Sequence, residues 1–317
     1  MGSTIVVVGS LNIDLVVLTS RIPLPGETLA GQELHLIPGG KGANQAAAAS
    51  LSGAKTRMIG CVGEDPFGKV LLRSLKVTGV DATGVSRIEG VSTGTATILV
   101  EENGRNRIII IPGANGEVTF NYVSQRLGLL SYSDLVILQH EIPLPTVHEI
   151  IKYCQQQRIR VLLNPAPMYP IPVDILQLVD ILVLNDTEAA DLTGNITAGV
   201  DGAIHAASKI LEIGVKTVII TLGETGAVLM DSNGPIFQPA FKVKAVDTTA
   251  AGDTFVGSFA ASLIAGRSPA RALQYASAAS AIAVTRLGAQ TSIPNKKEIE
   301  EFIDLRQDPD ANPEVIQ

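Results

Sequence analysis

The 317-residue sequence contains no tryptophan, and aromatic residues make up only 4% of it. Pockets for flat ligands such as nucleobases are usually lined by apolar and aromatic side chains, so this composition does not favour a nucleoside site. Cysteine is also rare, with Cys61 and Cys154 as the two examples. Because Cys61 lies in the strand-like segment MIGCVG, we expect a free, buried thiol in a protein of a reducing compartment, the cytoplasm.

The chain lacks an excess of basic residues, since its formal net charge is -7. This charge argues against a nucleic-acid partner, which would require a basic surface. No apolar run reaches the roughly 20 residues of a membrane helix. The N-terminal segment MGSTIVVVGS has no basic region before its apolar run, so we interpret it as a first strand and not as a signal peptide. We therefore expect no membrane partner.

Two familiar nucleotide-binding motifs are missing, and the histidines show no metal-ligand spacing. The segment PGGKGANQ, which begins at Pro38, lacks the four-residue spacer and the Gly-Lys-Ser/Thr ending of a Walker loop. No Gly-x-Gly-x-x-Gly follows the first apolar run, which argues against a dehydrogenase.

Short apolar runs do recur, and amphipathic stretches separate several of them. The runs begin at Ile5, Arg57, Asp134, Arg160, Asp180 and Lys216. Short apolar strands that alternate with helices predict an α/β fold, in which a mostly parallel central sheet is covered on both faces. A turn at Ser232–Gly234 predicts an antiparallel hairpin at the sheet edge.

Two segments interrupt this pattern, at about 13–38 and about 93–112. Both indicate strands without a helix between them, and the second indicates a hairpin that turns at Asn103–Gly104. They predict a small separate sheet, which could be a lid over a site or a subunit interface. The length of the chain allows one large α/β domain or two smaller ones.

Three polar motifs follow predicted strands, where open α/β sheets bind ligands. The motif GSLNID contains Asn12 and Asp14, which could hold sugar hydroxyls or simply form a turn. Around Lys41, the paired glycines permit close approach to a ligand, whereas the following alanines indicate tight helix packing. Glu141, at the end of a predicted strand, carries little information alone.

Two further motifs, LNDTEAADLTG and TLGETGA, also have simpler interpretations. Asn185 and Glu188 could orient magnesium or a phosphate, but they could equally form a helix N-cap with an acidic first turn. Gly223 and Gly226 could present N–H groups to phosphates, or they could form a plain hairpin turn.

The segment VDTTAAGDTF, at 246–255, places small residues at a predicted helix start. Exposed N–H groups at such a start bind anions. Asp253 would then stand beside an anion site, which suits a general base that removes a proton from an attacking group. Asp247 and nearby carbonyl oxygens could also hold a cation.

These motifs occur in the order typical of the ribokinase-like (PfkB) carbohydrate kinases, which the chain resembles from about residue 5 to about residue 305. LNPAP, AVDTTAAGDTF and AIAVTRLGAQ are especially similar to family members that transfer the γ-phosphate of ATP to the 5-hydroxyl of D-ribose. The resemblance implies one catalytic domain over residues 1–317, with the family's three-layer α/β/α fold and a small β-sheet lid. It also implies ATP, Mg²⁺ and K⁺ as cofactors, and a homodimer that forms through the lid.

The resemblance also implies site residues, matched motif by motif. The catalytic group would be the base Asp253 with an anion hole of Ala250, Ala251 and Gly252. The sugar site would comprise Asn12, Asp14, Gly40, Lys41, Gly42, Asn44, Glu141 and Asp253. The nucleotide and magnesium site would comprise Asn185, Glu188, Thr221, Leu222, Gly223, Glu224, Thr225, Gly226, Gly252, Asp253 and Ser277. The monovalent-cation site would comprise Asp247, Thr249, Ala283, Arg286, Gly288 and Ser292.

Ser277 departs from the family pattern, because a larger polar residue often stands at that place. The sequence leaves other substrates open, namely fructose, 2-keto-3-deoxygluconate or a nucleoside. A non-catalytic sugar-sensing protein is a further alternative, although a sensor would not need the base at Asp253.

Overall fold

The computed structural model describes residues 4–102, 105–306 and 314–315, so the turn predicted at Asn103–Gly104 lies outside the described residues. The strands are β1 Thr4–Val8, β2 Asn12–Thr19, β3 Glu33–Gly39, β4 Lys55–Gly63, β5 Asp81–Ile88, β6 Gly94–Glu101, β7 Asn106–Ile111, β8 Leu135–Gln139, β9 Arg160–Asn164, β10 Ile181–Asn185, β11 Thr217–Thr221, β12 Gly226–Asp231, β13 Gly234–Pro239 and β14 Glu314–Val315.

Helices separate most strands of the main sheet. The α-helices are α1 Lys41–Leu51, α2 Pro66–Val77, α3 Phe120–Ser124, α4 Leu127–Leu130, α5 Leu144–Gln157, α6 Val173–Leu176, α7 Asp186–Thr193, α8 Gly199–Ile213, α9 Ala251–Ile264, α10 Pro269–Ala283 and α11 Lys296–Asp304. Short 3₁₀ helices occupy Gly113–Glu117 and Gly223–Thr225. No helix among the described residues is long and apolar enough to cross a membrane.

The main sheet has the strand order β14-β13-β12-β11-β10-β9-β8-β1-β4-β5. Strands β11 to β5 in that order are parallel, and β12, β13 and β14 are antiparallel. All six predicted apolar runs form strands of this sheet, and the predicted hairpin is β12–β13. The mostly parallel α/β fold predicted from the sequence is therefore confirmed.

Both faces of the sheet are buried, as β1 illustrates. Val6 and Val8 point to one core, whereas Ile5 and Val7 point to another, because successive strand residues face opposite sides. Apolar residues of α3 to α8 fill the first core, and residues of α1, α2, α9 and α10 fill the second. The strand residues are apolar on both faces because helices cover both of them, which gives three layers.

Helices α1 and α9 lie unusually close together on the second face. A Cβ added at Gly257 would overlap the backbone oxygen of Gln45 and would lie 2.6 Å from the Cβ of Ala48. The glycine of α9 and the alanines of α1 therefore permit this approach. As a result, the first turns of the two helices meet at one end of the sheet.

A second sheet has the order β3-β2-β6-β7. It consists of the two segments that the sequence set apart, so the predicted small sheet is confirmed. Its edge strand β7 carries four consecutive exposed isoleucines, Ile108 to Ile111. Asn12 and Asp14 belong to β2, within this sheet, so they are strand residues and do not form the turn that the sequence also allowed.

Candidate active site

The site is built around the first turn of α9. Ala250 precedes the helix with a left-handed backbone, at φ 58°, and Thr254 N donates to its carbonyl oxygen at 2.8 Å. The N–H groups of Gly252 and Asp253 have no hydrogen-bond partner among the described residues. A Cβ at Gly252 would contact nothing within 4 Å. Two free donors therefore face open space at the positive end of a 14-residue helix, which is a suitable place for an anion.

Asp253 follows these donors, and only 7% of its surface is exposed. Asn44 Nδ2 donates to its Oδ2, and Gln45 Nε2 donates to its Oδ1, each at 2.9 Å. Both carboxylate oxygens are thus held by amides from α1. The sequence interpretation included Asn44 but missed Gln45, although the two residues are adjacent in the same motif.

Glu141 is held at the start of α1. Its Oε2 accepts from Lys41 N at 3.0 Å and from the Ser10 hydroxyl at 2.6 Å. The carboxylate of Asp253 raises the pKa of Lys41, with help from Glu141 and other carboxylates and against the effect of burial. Lys41 is therefore a stable cation among acidic groups. The next residue, Gly42, packs so closely against Ser10 that an added Cβ would lie 2.6 Å from Ser10 N.

Asp14 reaches the same place from β2. Burial, followed by the charges of Glu141 and Asp253, raises its pKa to about 7, while Lys41 opposes the shift. A Cβ at Gly39 would lie 2.5 Å from the Asp14 carboxylate, so a glycine at this position avoids a clash with the Asp14 side chain. Gly40, with φ 89°, then turns the chain into α1.

Asn12 is 3% exposed. Its side chain is held by Asn115, a residue that the sequence interpretation missed. Asn115 Nδ2 donates to Asn12 Oδ1 at 2.7 Å, and Asn115 Oδ1 accepts from Leu11 N at 2.8 Å. This contact fixes Asn12 with its own amide nitrogen free to donate elsewhere. Asn115 lies about 100 residues away in sequence, so no local pattern links the two.

A cavity of about 220 Å³ lies between the start of α9 and the ends of β9 and β10. Its polar lining includes Lys41, Asn164, Asn185, Glu188 and Asp253. Asn185 and Glu188 form a capping box, in which Asn185 Oδ1 accepts from Glu188 N and Glu188 Oε2 accepts from Asn185 N. The local capping interpretation is therefore correct. Burial still raises the pKa of Glu188, and the pair still faces the cavity.

A larger cavity of about 570 Å³ adjoins the first, since both are lined by Thr221, Thr248, Ala251 and Gly252. It is also lined by Gly223, Glu224, Gly226 and Ser277, four of the residues predicted for the nucleotide site. Leu222 and Thr225 are not among its lining residues. Leu222 is buried, and its carbonyl oxygen accepts from Thr225 N within the turn.

The segments 246–249 and 283–292 lie together beside α9. The carboxylate of Asp247 accepts from Thr249 N and Gly288 N, each at 2.9 Å. Burial opposes a charge on Asp247, but these hydrogen bonds outweigh burial and lower its pKa. Three other residues predicted for the cation site, Ala283, Arg286 and Ser292, make local contacts. Arg286 N donates to the Ala283 carbonyl oxygen, and the Arg286 guanidinium pairs with Glu298. The buried Ser292 hydroxyl donates to the Ala289 carbonyl oxygen. Arg286 could thus offer a cation only its backbone oxygen.

Comparison with known proteins agrees with this geometry. Residues 3–296 match the pfkB family of carbohydrate kinases, and the chain belongs to that family.

Particular relatives are similar over nearly their whole lengths. The chain is 44% identical to the ribokinase of Schizosaccharomyces pombe over 313 residues, which cover 96% of this chain and 98% of the relative. It is 39% identical to the ribokinase of Haemophilus influenzae, with 96% and 99% covered. The structure of Arabidopsis thaliana ribokinase with ribose and ATP superposes with a TM-score of 0.91 at 34% identity, over 96% of this chain and 99% of that one.

Proposed function

We propose that the protein transfers the γ-phosphate of ATP to the 5-hydroxyl of D-ribose and so produces D-ribose 5-phosphate. The observation that carries this proposal is the carboxylate of Asp253, held by two amides beside the free N–H groups of α9. Membership of the pfkB carbohydrate kinases and the similarity to two ribokinases at 39% and 44% identity support the choice of reaction and sugar.

Asp253 is the general base of this reaction. It accepts the proton of the attacking hydroxyl, while the N–H groups of Gly252 and Asp253, with Ala250 and Ala251 shaping the turn, stabilise charge on the transferring phosphoryl group. Phosphoryl transfer depends mainly on such positioning and charge stabilisation. Lys41, which is cationic beside the base, adds to the positive potential there.

The sugar binds where β2 meets the start of α1. The contacting residues are Asn12, Asp14, Gly40, Lys41, Gly42, Asn44 and Glu141. Two features support this role: the Asn12 amide nitrogen is oriented by Asn115, and Asn44 Oδ1 is buried without a hydrogen-bond partner among the described residues. A buried acceptor of this kind calls for a hydroxyl donor, which a small polyhydroxylated sugar supplies.

ATP occupies the larger cavity and reaches the smaller one with its phosphates. The nucleotide contacts are Asn185, Thr221 to Gly226, Gly252 and Ser277. The walls of the larger cavity include Phe241, Val243 and Ala281, which suit the face of a base. The small Ser277 leaves room beside that base.

Mg²⁺ fits near Glu188 and Asn185, because oxygen ligands and retained water suit this ion. Bound there with ATP, it would neutralise phosphate charge. K⁺ fits beside Asp247 and Thr249 with backbone oxygens of Ala283, Arg286, Gly288 and Ser292, since this set offers oxygen donors around one half-buried carboxylate.

Two further properties belong to the proposal. The exposed isoleucines of β7 support a lid that closes over the sugar and joins two copies in a homodimer. The two buried, free cysteines support a cytoplasmic location, where thiols stay reduced.

An ATP-coupled assay of the purified protein tests the function. The panel comprises D-ribose, fructose, 2-keto-3-deoxygluconate and adenosine, each with Mg²⁺ and with or without K⁺. We expect turnover to be highest with D-ribose and to rise with K⁺. Asp253→Asn should lose most of it, by about 10²–10⁴-fold, while ribose binding largely persists. Preference for another sugar would change the substrate, and wild-type turnover in Asp253→Asn would contradict the role of the base.

A further inference from the structure

Gln45 is fully buried in α1, and its carboxamide makes three hydrogen bonds. Its Nε2 donates to Asp253 Oδ1 and to Asn164 Oδ1, both at 2.9 Å. Its Oε1 accepts from Gln139 Nε2 at 2.6 Å. An amide nitrogen has two hydrogens, so this donor is fully used within the protein and contributes nothing to a ligand.

The neighbours of Gln45 fix which way its amide faces. Asn164 Nδ2 donates to the Val183 carbonyl oxygen at 3.0 Å, so the Asn164 oxygen is the atom that faces Gln45. The carboxylate of Asp253 can only accept when it is charged. A reversed Gln45 amide would place its oxygen against two other oxygens, so a single orientation satisfies both ends of this amide.

The support behind Gln45 is the central sheet itself. Gln139 and Asn164 are the last residues of β8 and β9, and they are partners in the parallel register of these strands. Gln139 packs against Gly9, where a Cβ would overlap its Oε1. Gln45 therefore connects the carboxylate of Asp253 to two adjacent strand ends, which are rigid parts of the fold.

We propose that Gln45 is the positioning residue for Asp253, in that it fixes the rotation of the carboxylate. The inference rests on the proposed function, in which Asp253 accepts the proton of the sugar hydroxyl. Gln45 acts only through Asp253 and does not touch the substrate.

The geometry of the carboxylate gives this contact an effect on the rate. The terminal torsion of an aspartate is broad, so the single bond from Asn44 leaves the carboxylate free to rotate. The second bond, from Gln45, removes that freedom.

The decisive variant is Gln45→Met, which keeps the length of the side chain and removes its hydrogen bonds. We expect kcat to fall by about 10–100-fold, because small displacements of a catalytic group are this costly. Sugar affinity measured by calorimetry should change little. A fall in kcat at unchanged sugar affinity identifies lost positioning, because a loss of packing alone would weaken sugar binding as well. Gln274→Met, at a buried glutamine of α10, is the matched control with wild-type kinetics.

Gln139→Met provides a second test, because it keeps both donors of Asp253 but releases Oε1 of Gln45. A smaller drop in kcat at unchanged sugar affinity is expected. Wild-type kcat in folded Gln45→Met would overturn the inference. The same result in Gln139→Met would overturn it if Gln45→Met did not fold.

Asp253→Asn, assayed in parallel, separates the two proposals. If it is inactive and Gln45→Met is normal, only the inference on Gln45 fails. If it retains full turnover, the proposed role of the base fails, and the positioning role fails with it.

Discussion

At the scale of single residues, the site brings several carboxyl groups together in a place where burial disfavours their negative charge. Asp14 lies near Glu141 and Asp253, and burial with these charges raises its pKa from the ordinary 3.8 to about 7. The folded protein therefore holds this proton more tightly than the unfolded chain does. The contribution of Asp14 to stability is present at low pH and is lost as pH rises from about 4 to about 7.

We expect Asp14→Asn to stabilise the sugar-free protein near pH 8 and to have little effect near pH 4, where Asp14 is protonated anyway. Thermal unfolding at both pH values measures this, with a gain of roughly 2–6 °C near pH 8. The same variant should bind sugar less well. Asp201→Asn, at an exposed position of α8, is the control. An equal gain at both pH values would show that the charge of Asp14 is not the cause.

At the scale of secondary-structure elements, the contact between α1 and α9 determines how the carboxylate of Asp253, the proposed base, is held. Helix α1 supplies Asn44 and Gln45, and α9 supplies Asp253. The two helices can approach because Gly257 has no side chain. The small residues that look like simple packing in the sequence therefore also set the distance between Asp253 and its two amide donors.

Gly257→Ala tests this connection. Although alanine favours a helix by roughly 1 kcal/mol over glycine, its methyl group would overlap the backbone of α1. We expect a net loss of about 1–3 kcal/mol in unfolding free energy, as is typical of overpacking, together with a lower kcat. Chemical denaturation and steady-state kinetics measure the two effects.

Gly128→Ala is the matched control, because the added methyl group would contact nothing within 4 Å. It should be neutral or slightly stabilising. Unchanged stability and activity in Gly257→Ala would mean that the helices can separate without disturbing Asp253.

At the scale of the whole molecule, the small sheet leaves apolar surface uncovered. Ile108, Ile109, Ile110 and Ile111 are between 50% and 62% exposed, although alternate residues of a strand face opposite sides. Both faces of β7 therefore lack cover. Exposed apolar surface of this extent is typical of interaction sites. Closure over the sugar site would cover one face of β7, and a second copy of the chain would cover the other.

We expect the 33.2 kDa chain to form a homodimer, with a mass twice that value by light scattering after gel filtration. Ile109→Glu should shift the equilibrium towards monomer, because it places a charge in the interface. Ile196→Glu, at an apolar residue that is 90% exposed elsewhere on the surface, should remain dimeric. A wild-type monomer at micromolar concentration would contradict the proposed dimer.

Much of this protein was predictable because its signals are local. The apolar runs predict the parallel strands, since a strand covered on both faces must be apolar on both. The glycine and alanine content of VDTTAAGDTF predicts a helix start with free N–H groups, and Asp253 follows it directly. The sequence order of the motifs was also sufficient to indicate the family.

Other features arise only when distant segments meet in the tertiary structure. Gln45 resembles one more helix residue until β8 and β9 bring Gln139 and Asn164 to its side chain. Asn115 becomes a partner of Asn12 only because the 3₁₀ turn at Gly113–Glu117 packs beneath the small sheet. Asp14 acquires its raised pKa first from burial and then from the charges of Glu141 and Asp253, which follow it in the chain by more than a hundred residues. The sequence by itself determined which chemical groups are available. The tertiary structure decided which of them share a hydrogen bond or a low-dielectric site, because those energies depend on distance and burial and not on chain order.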